Sequence, residues 1–444
     1  MERVLLMLVI SFFIANVTFA KHNGNNGHVL DSNYTEVSKT LDLWMEHFID
    51  LTKNTAGYSA PVAARTFNYL SIGMYESVAI SSEELKSLNG QLKDFSFKKR
   101  KLNLNRMNEA QLLNHVCYKL AKYFFVNMPP SYLEHTKELF IRINSETKVY
   151  TNKKSKRIIE KNADYLVREI IQWSEKDNAK DAWNNNFPKA FKTEICESCW
   201  QRTYPGFESA LQPYWGQNRL SIEKNAQVFD DIPFMEFSAD STSKFYKEAE
   251  LLYKDLVDLD KNQIDIARYW NDAPGVSGTP AGHLFQLGRS LLNTYQIDIF
   301  STLKFYVTLG IGLNDAVIEC WKLKYEYNLI RPITYIHRYI SLDYSTCIAT
   351  PPFPEFPSGH SIQAGCGSEI FSFYFLNTSS FVDSTNMDRK DINGSPRKYT
   401  SFREMAQEMS NSRYFGGIHF MNTLKVSLRY GRKIGKSTIQ ELDL

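Results

Sequence analysis

The chain has 444 residues, 43% hydrophobic and 23% charged, a globular composition long enough for one large domain or two moderate ones. Its formal charge of +3 is too small, and its basic residues too scattered, for a nucleic-acid stripe or a membrane-surface patch. No nucleic-acid partner is expected, and any anion site must be local.

Met1-Glu2-Arg3 precedes an apolar run from Val4 to Ile14, and Thr18 and Ala20 supply small residues at the minus-three and minus-one positions. This reads as an export signal over residues 1–20, because the run falls short of the ~20 apolar residues that span a bilayer. No later stretch is long and apolar enough either, so the mature chain is expected to lack a membrane span and to be periplasmic or extracellular. Residues 21–40 read as a flexible mature N-terminus, 41–295 as an N-terminal helical region, and 296–444 as a helical bundle packed with it as one unit.

Val62 to Ile80, Asn108 to Phe125, Ser155 to Trp173, Lys244 to Val257 and Ala281 to Thr294 carry apolar residues three and four apart, whereas strand-like alternation is scarce. The fold class is therefore all-α, built of helical bundles. The basic run Lys153 to Arg157 reads as a solvated face or a helix start. Breakers at Asn184 to Pro188, Tyr204-Pro205-Gly206, Asp272 to Gly278 and Pro351 to Pro357 separate helical pairs. Phe375 to Lys398 is polar enough for a long exposed loop. Of the six cysteines, only Cys196 and Cys199 form a local pair. No second CxxC or close histidine completes a zinc set, leaving a local disulfide or two free thiols.

Three basic motifs follow. Lys324 and Arg331-Pro332 come after an apolar-periodic stretch, Leu303 to Trp321; seven apart, the two cations are expected to share a helix face, with Pro332 placing Arg331 at or near the helix end. Trp321 would lie on that face, packing in the core or lining the site. Pro357-Ser358-Gly359-His360 sits where a helix begins, so free backbone N–H groups, the Gly359 backbone and the Ser358 hydroxyl can meet an anion. Ser412-Arg413 is followed by Gly416-Gly417 and His419. The helix from Ser401 is expected to end there and the next to start at His419, biasing that imidazole toward its neutral form. Singly, each motif fits a solvated helix, an N-cap or a surface turn. Together they form a cage for a tetrahedral oxyanion: Lys324, Arg331 and Arg413 as cations, Ser358 and Gly359 as donors, and His360 and His419.

The set KxxxxxxRP, PSGH and SRxxxxxH resembles the signature shared by vanadium-dependent haloperoxidases and type 2 phosphatidic acid phosphatases. RTFNYLSIGMYESVA from Arg65, ARYWNDAPGVSGTPAGH from Ala267 and PPFPEFPSGHS from Pro351 are similar to bacterial haloperoxidases, extending the resemblance from about Leu41 to Gly435. It implies a vanadate cofactor with vanadium bonded to His419, and His360 as acid–base partner of its axial hydroxide. It also implies that Lys324, Arg331, Ser358, Gly359 and Arg413 neutralise the equatorial oxygens. Lys324 would further polarise peroxide. The implied partners are hydrogen peroxide and halide, with hypohalous acid released through a peroxovanadate, and iodide or bromide is expected before chloride. Trp321 and Phe353 fall where chloroperoxidase-like members place aromatic residues, a candidate halide pocket. Tyr204 to Trp215 and Tyr269 to Asp272 read as core or loop packing.

One position departs from this pattern. Many members place an aspartate four residues after the vanadate histidine, where this chain has Thr423, so the support of His419 is expected to be altered. Because vanadate and phosphate are near-isosteres, two alternatives stay open: an exported acid phosphatase with His419 as phosphoryl-accepting nucleophile, and a non-catalytic anion-binding helical protein.

Overall fold

In a computed structural model, which describes residues 32–98, 108–147 and 153–444, the apolar spacing becomes helix almost everywhere it was expected. The expected export segment, residues 1–20, lies outside the described residues, as does 21–31. Helix α1 (Ser32–Asn54) takes in part of the segment expected to be flexible, because Val37, Leu41, Trp44, Met45 and Phe48 recur at helical spacing and are all buried. With α2 (Ala60–Ala79), α3 (Glu109–Phe124), α4 (Pro130–Glu146) and α5 (Lys153–Ser174) it forms an N-terminal bundle centred on α3. The basic run at Lys153 is a helix start with its lysines outward.

Residues 175–243 run mostly without regular structure and are pinned to the bundle by buried polar contacts. Asp315 accepts hydrogen bonds from the backbone of Ser221 and Ile222 and from Asn225. Cys196 and Cys199 are joined in a disulfide. Helices α6 (Lys244–Val257), α7 (Lys261–Tyr269) and α8 (Thr279–Thr294) lead to the C-terminal bundle.

That bundle is built on α9 (Ile299–Tyr327), which is buried on nearly every side, packs α2 on one flank and α11 (Gly359–Tyr374) on another, and so ties both bundles into one core. Asp298 caps its start by accepting from Phe300 and Ser301 N–H. Asn328, in the left-handed region at φ 46°, ends it. Helix α11 lies closest to α13 (Met421–Glu441). An ideal Cβ on Gly431 would stand 2.2 Å from the Ile362 carbonyl oxygen, so only glycine permits this approach. Helices α10 (Pro332–Tyr339) and α12 (Phe402–Phe415) complete the bundle.

Three expectations need correction. Lys324 and Arg331 do not share a helix face: α9 stops at Tyr327, and Arg331 stands in extended backbone (φ −78°, ψ 152°) as the N-cap of α10. Pro332 acts as an N1 proline opening the next helix rather than as the end of the previous one. Residues 375–398 are not a simple exposed loop, since β1 (Phe381–Asp383) pairs antiparallel with β2 (Arg397–Tyr399), and Phe381, Asp383 and Asn386 are buried. Helix α13 begins at Met421, two residues after His419, which stays in the connecting turn. Among the described residues no helix is long and apolar enough to cross a membrane.

Candidate active site

The three motifs converge because three chain reversals meet at one end of the C-terminal bundle. Lys324 occupies the last turn of α9, fully buried, and donates from Nζ to the carbonyls of Pro354 (2.9 Å) and Glu355 (3.2 Å). Its ammonium lies 4.8 Å from the Phe353 ring centroid and 5.9 Å from that of Trp321, and these two rings are 5.1 Å apart. Arg331, also fully buried, donates from Nε to the Phe353 carbonyl (2.8 Å) and from Nη1 to the Ile418 carbonyl (2.9 Å). Its Nη2 is buried with no partner.

Ser358 caps α11. Its hydroxyl accepts from Ser361, and its own N–H donates to Ser427 Oγ on α13 at 2.9 Å. Gly359 follows, so close to Trp321 that a Cβ would sit 3.2 Å from the indole. His360, half-buried, shares a hydrogen bond with the Asn271 backbone, and its Nε2 lies 3.3 Å from Arg413 Nη1. Arg413, near the end of α12, also donates to Ser412 Oγ and to the Ala267 carbonyl. The turn that follows needs Gly417 at φ 76° and delivers His419, whose Nε2 lies 3.2 Å from Arg331 Nη1.

Seven predicted residues therefore surround one point, with Trp321 and Phe353 as an apolar wall. Trp321 belongs to core and wall at once: it is buried and donates to the Leu211 carbonyl at 3.3 Å. His360 and Phe353 are only half-buried, marking the side on which the cage approaches solvent. A cleft of 810 Å³ lies elsewhere, between α1, α8 and the 385–391 segment, and none of the cage residues lines it.

The electrostatics favour an anion at this point. Burial, with Arg331 adding to it, lowers the Lys324 ammonium to about 7, and burial likewise lowers Arg331 and Arg413 to about 10. Burial and the neighbouring guanidinium groups hold His419 and His360 well below the ordinary imidazole range. Three cations press on one another and on two imidazoles, and one guanidinium nitrogen has nothing to bind. A tetrahedral oxyanion answers both conditions: its charge offsets the repulsion and its oxygens take the free N–H groups.

Two carboxylate systems escaped the sequence reading. Glu355, fully buried, accepts from His419 Nδ1 (2.8 Å) and Phe420 N–H (3.1 Å) through Oε1, and from the Thr423 hydroxyl (2.8 Å) through Oε2. Burial raises its carboxyl to about 7, while Arg331, the Thr423 bond and Lys324 favour the charged form. His419 is thus not without a carboxylate: one reaches it from the Pro354-Glu355-Phe356 segment instead of from position 423. The sole signal was an acid amid proline and phenylalanine. Behind His360 and Arg413, His283 is clamped between Asp272 (2.9 Å) and Asp383 (2.9 Å) and stacked on Trp270 with ring centroids 4.5 Å apart. Burial opposes its charge, but the two carboxylates outweigh burial and raise it to about 10. Asp272 and His283 lie within the segment Ala267 to His283, whose spacing gave no hint that they meet.

Comparison with known proteins bears on this geometry. Residues 304–345 and 341–443 match the VCPO second helical-bundle domain, the part that carries the cage. Among solved structures, a bacterial vanadium-dependent iodoperoxidase is 27% identical with a TM-score of 0.80, covering 91% of this chain and 96% of its own. A holo-type bacterial vanadium-dependent chloroperoxidase gives 0.65 at 12% identity, over 87% of this chain and 92% of that one. Its apo-type counterpart gives 0.62 at 12%, over 86% and 93%; at this identity the likeness is one of fold. No curated protein matches the chain. Helical bundles around a buried oxyanion cage define the class. The domain match covers the C-terminal bundle, and together with the iodoperoxidase likeness it makes the chain similar to vanadium haloperoxidases.

Proposed function

We propose that the chain is a vanadate-dependent peroxidase that uses hydrogen peroxide to oxidise halide, iodide or bromide before chloride, to hypohalous acid. The observation that carries the reading is the convergence of Lys324, Arg331 and Arg413 with two low-pKa imidazoles, among which Arg331 Nη2 is buried without a partner. Vanadate, when bound, supplies the Lewis acidity that activates peroxide toward a halide.

The chain's own groups do the rest. His419 offers Nε2 as ligand, from a ring kept neutral by the cations around it. Arg331, Arg413 and Lys324 would hold the oxygens of bound vanadate, with the Ser358 hydroxyl and Gly359 N–H as further donors. An anion in place would favour the charged form of Lys324, since an opposite charge favours the protonated ammonium. His360, at the half-open side and beside Arg413, would hold or release a proton of bound vanadate or of incoming peroxide. Trp321 and Phe353 exclude water from the halide's approach. Export to the periplasm or the cell exterior belongs to this reading and rests on the N-terminal sequence alone.

The test is a single preparation of the chain loaded with orthovanadate, assayed for peroxide-dependent halogenation of a dione with iodide, bromide and chloride, and in parallel for hydrolysis of a nitrophenyl phosphate. Halogenation fastest with iodide is expected. Phosphate ester turnover inhibited by vanadate, with no halide oxidation, would instead make the chain a phosphatase with His419 as nucleophile.

A further inference from the structure

We infer that Glu355 is the positioning carboxylate of the cage: by accepting the Nδ1 proton of His419 it turns the Nε2 lone pair toward the point where Lys324, Arg331 and Arg413 meet. That this point receives vanadate rests on the function proposed above, while the orientation of His419 does not.

The ring's protonation pattern follows from its two neighbours. A guanidinium has only donors, so Arg331 Nη1, 3.2 Å from Nε2, requires that nitrogen to carry a lone pair. A neutral imidazole then bears its proton on Nδ1, and Glu355 Oε1 at 2.8 Å accepts it. Both sides of the ring are thereby specified, with the Nε2 lone pair on the side of the Arg331 guanidinium.

Glu355 is itself held from four directions. Phe420 N–H and Thr423 hydroxyl donate to its two oxygens, its N–H donates to the Leu329 carbonyl (2.9 Å), and its carbonyl accepts from Lys324. Thr423 stands four residues after His419, in the first turn of α13. There it serves as the donor that fixes the second carboxylate oxygen, so the hydroxyl and the carboxylate work as a pair drawn from different elements. The same short segment carries the carboxylate behind His419 and the carbonyls that aim Lys324, which couples ligand orientation to the placement of a cage cation.

A carboxylate here could act through contact or only through charge, and two substitutions separate these. In Glu355→Gln the amide oxygen must face the two N–H donors, His419 and Phe420, and its NH2 must face the Thr423 hydroxyl, so contact is kept and charge lost. In Glu355→Asp the charge is kept, but the shorter side chain withdraws from Nδ1. Two-bond 1H–15N spectra of histidine-labelled, vanadate-free protein report which nitrogen of His419 is protonated, with His419→Ala providing the assignment. Equilibrium dialysis with orthovanadate gives the affinity.

Glu355→Gln is expected to retain the Nδ1–H form and most of the vanadate affinity. Glu355→Asp is expected to mix the two tautomers and to weaken vanadate by about 10- to 100-fold, the usual effect of losing such a partner. The reverse order, with Asp sparing both readouts or Gln losing both, overturns the inference in favour of charge alone. If the unsubstituted protein takes up no vanadate, the cofactor reading fails, and the nitrogen spectra still decide whether Glu355 orients the ring.

Discussion

At the scale of single residues, the cage is costly until an anion enters it. Lys324, Arg331 and Arg413 are all buried, and each lowers the proton affinity of others around the same point. The two imidazoles differ in what surrounds them. His419 is enclosed, with Nδ1 on a carboxylate, whereas His360 is half-buried and its other hydrogen bond goes to the Asn271 backbone. His419→Ala removes the nitrogen ligand and should abolish vanadate retention on dialysis. His360→Ala leaves the three cations and the ligand in place, so vanadate should still bind while turnover falls by about 10²- to 10⁴-fold, the typical reach of general acid–base catalysis. Equal loss of binding in both variants would contradict the division of labour.

At the scale of elements, what brings these residues together is the contact between α11 and α13. Ser358 at the head of α11 donates to Ser427 on α13, and further along Gly431 abuts the Ile362 carbonyl. Gly431→Ala should force the helices apart. The expected cost is about 1–3 kcal/mol in denaturant unfolding, as for other insertions into a packed interior, with weaker vanadate binding because the cap of α11 shifts against the turn that carries His419. Retention of both stability and affinity would mean that the contact can yield without moving the site. This scale also explains what could be read in the sequence. The helices followed from apolar spacing, and the seven cage positions from residue type and order together, since several cations, two histidines and two glycine turns constrain one another. Glu355 did not, because a carboxylate 64 residues before its histidine has no periodicity to link them. Arg331 misled for the opposite reason: its spacing from Lys324 suits a helix face, and the interruption came from Asn328 in the left-handed region, a residue equally at home inside a polar helix surface.

At the scale of the whole molecule, the cage leans on a second buried charge cluster that joins two distant parts of the chain. Asp272 lies in the loop between α7 and α8, His283 on α8 and Asp383 at the end of β1, and none of the three side chains is exposed. The loop that carries Asp272 also carries the Asn271 backbone bonded to His360, so the cluster ties α8 and the small sheet to the half-open side of the site. Its protonation makes a testable demand on stability. The folded pKa of His283, about 10, lies above its ordinary value of 6.5, so the folded state holds a proton that the unfolded chain releases between these limits. The resulting stabilisation is complete below about pH 6.5 and is lost as pH rises toward 10. Unfolding free energy measured in denaturant from pH 6 to 10 should therefore fall across that window. His283→Gln should flatten the fall, because the amide does not titrate, and should lower stability at pH 6 by about 3–5 kcal/mol by leaving two buried carboxylates without their cation. A pH dependence identical in the two proteins would show that His283 is neutral in the folded state, and the carboxylates around it would then have to hold the proton instead.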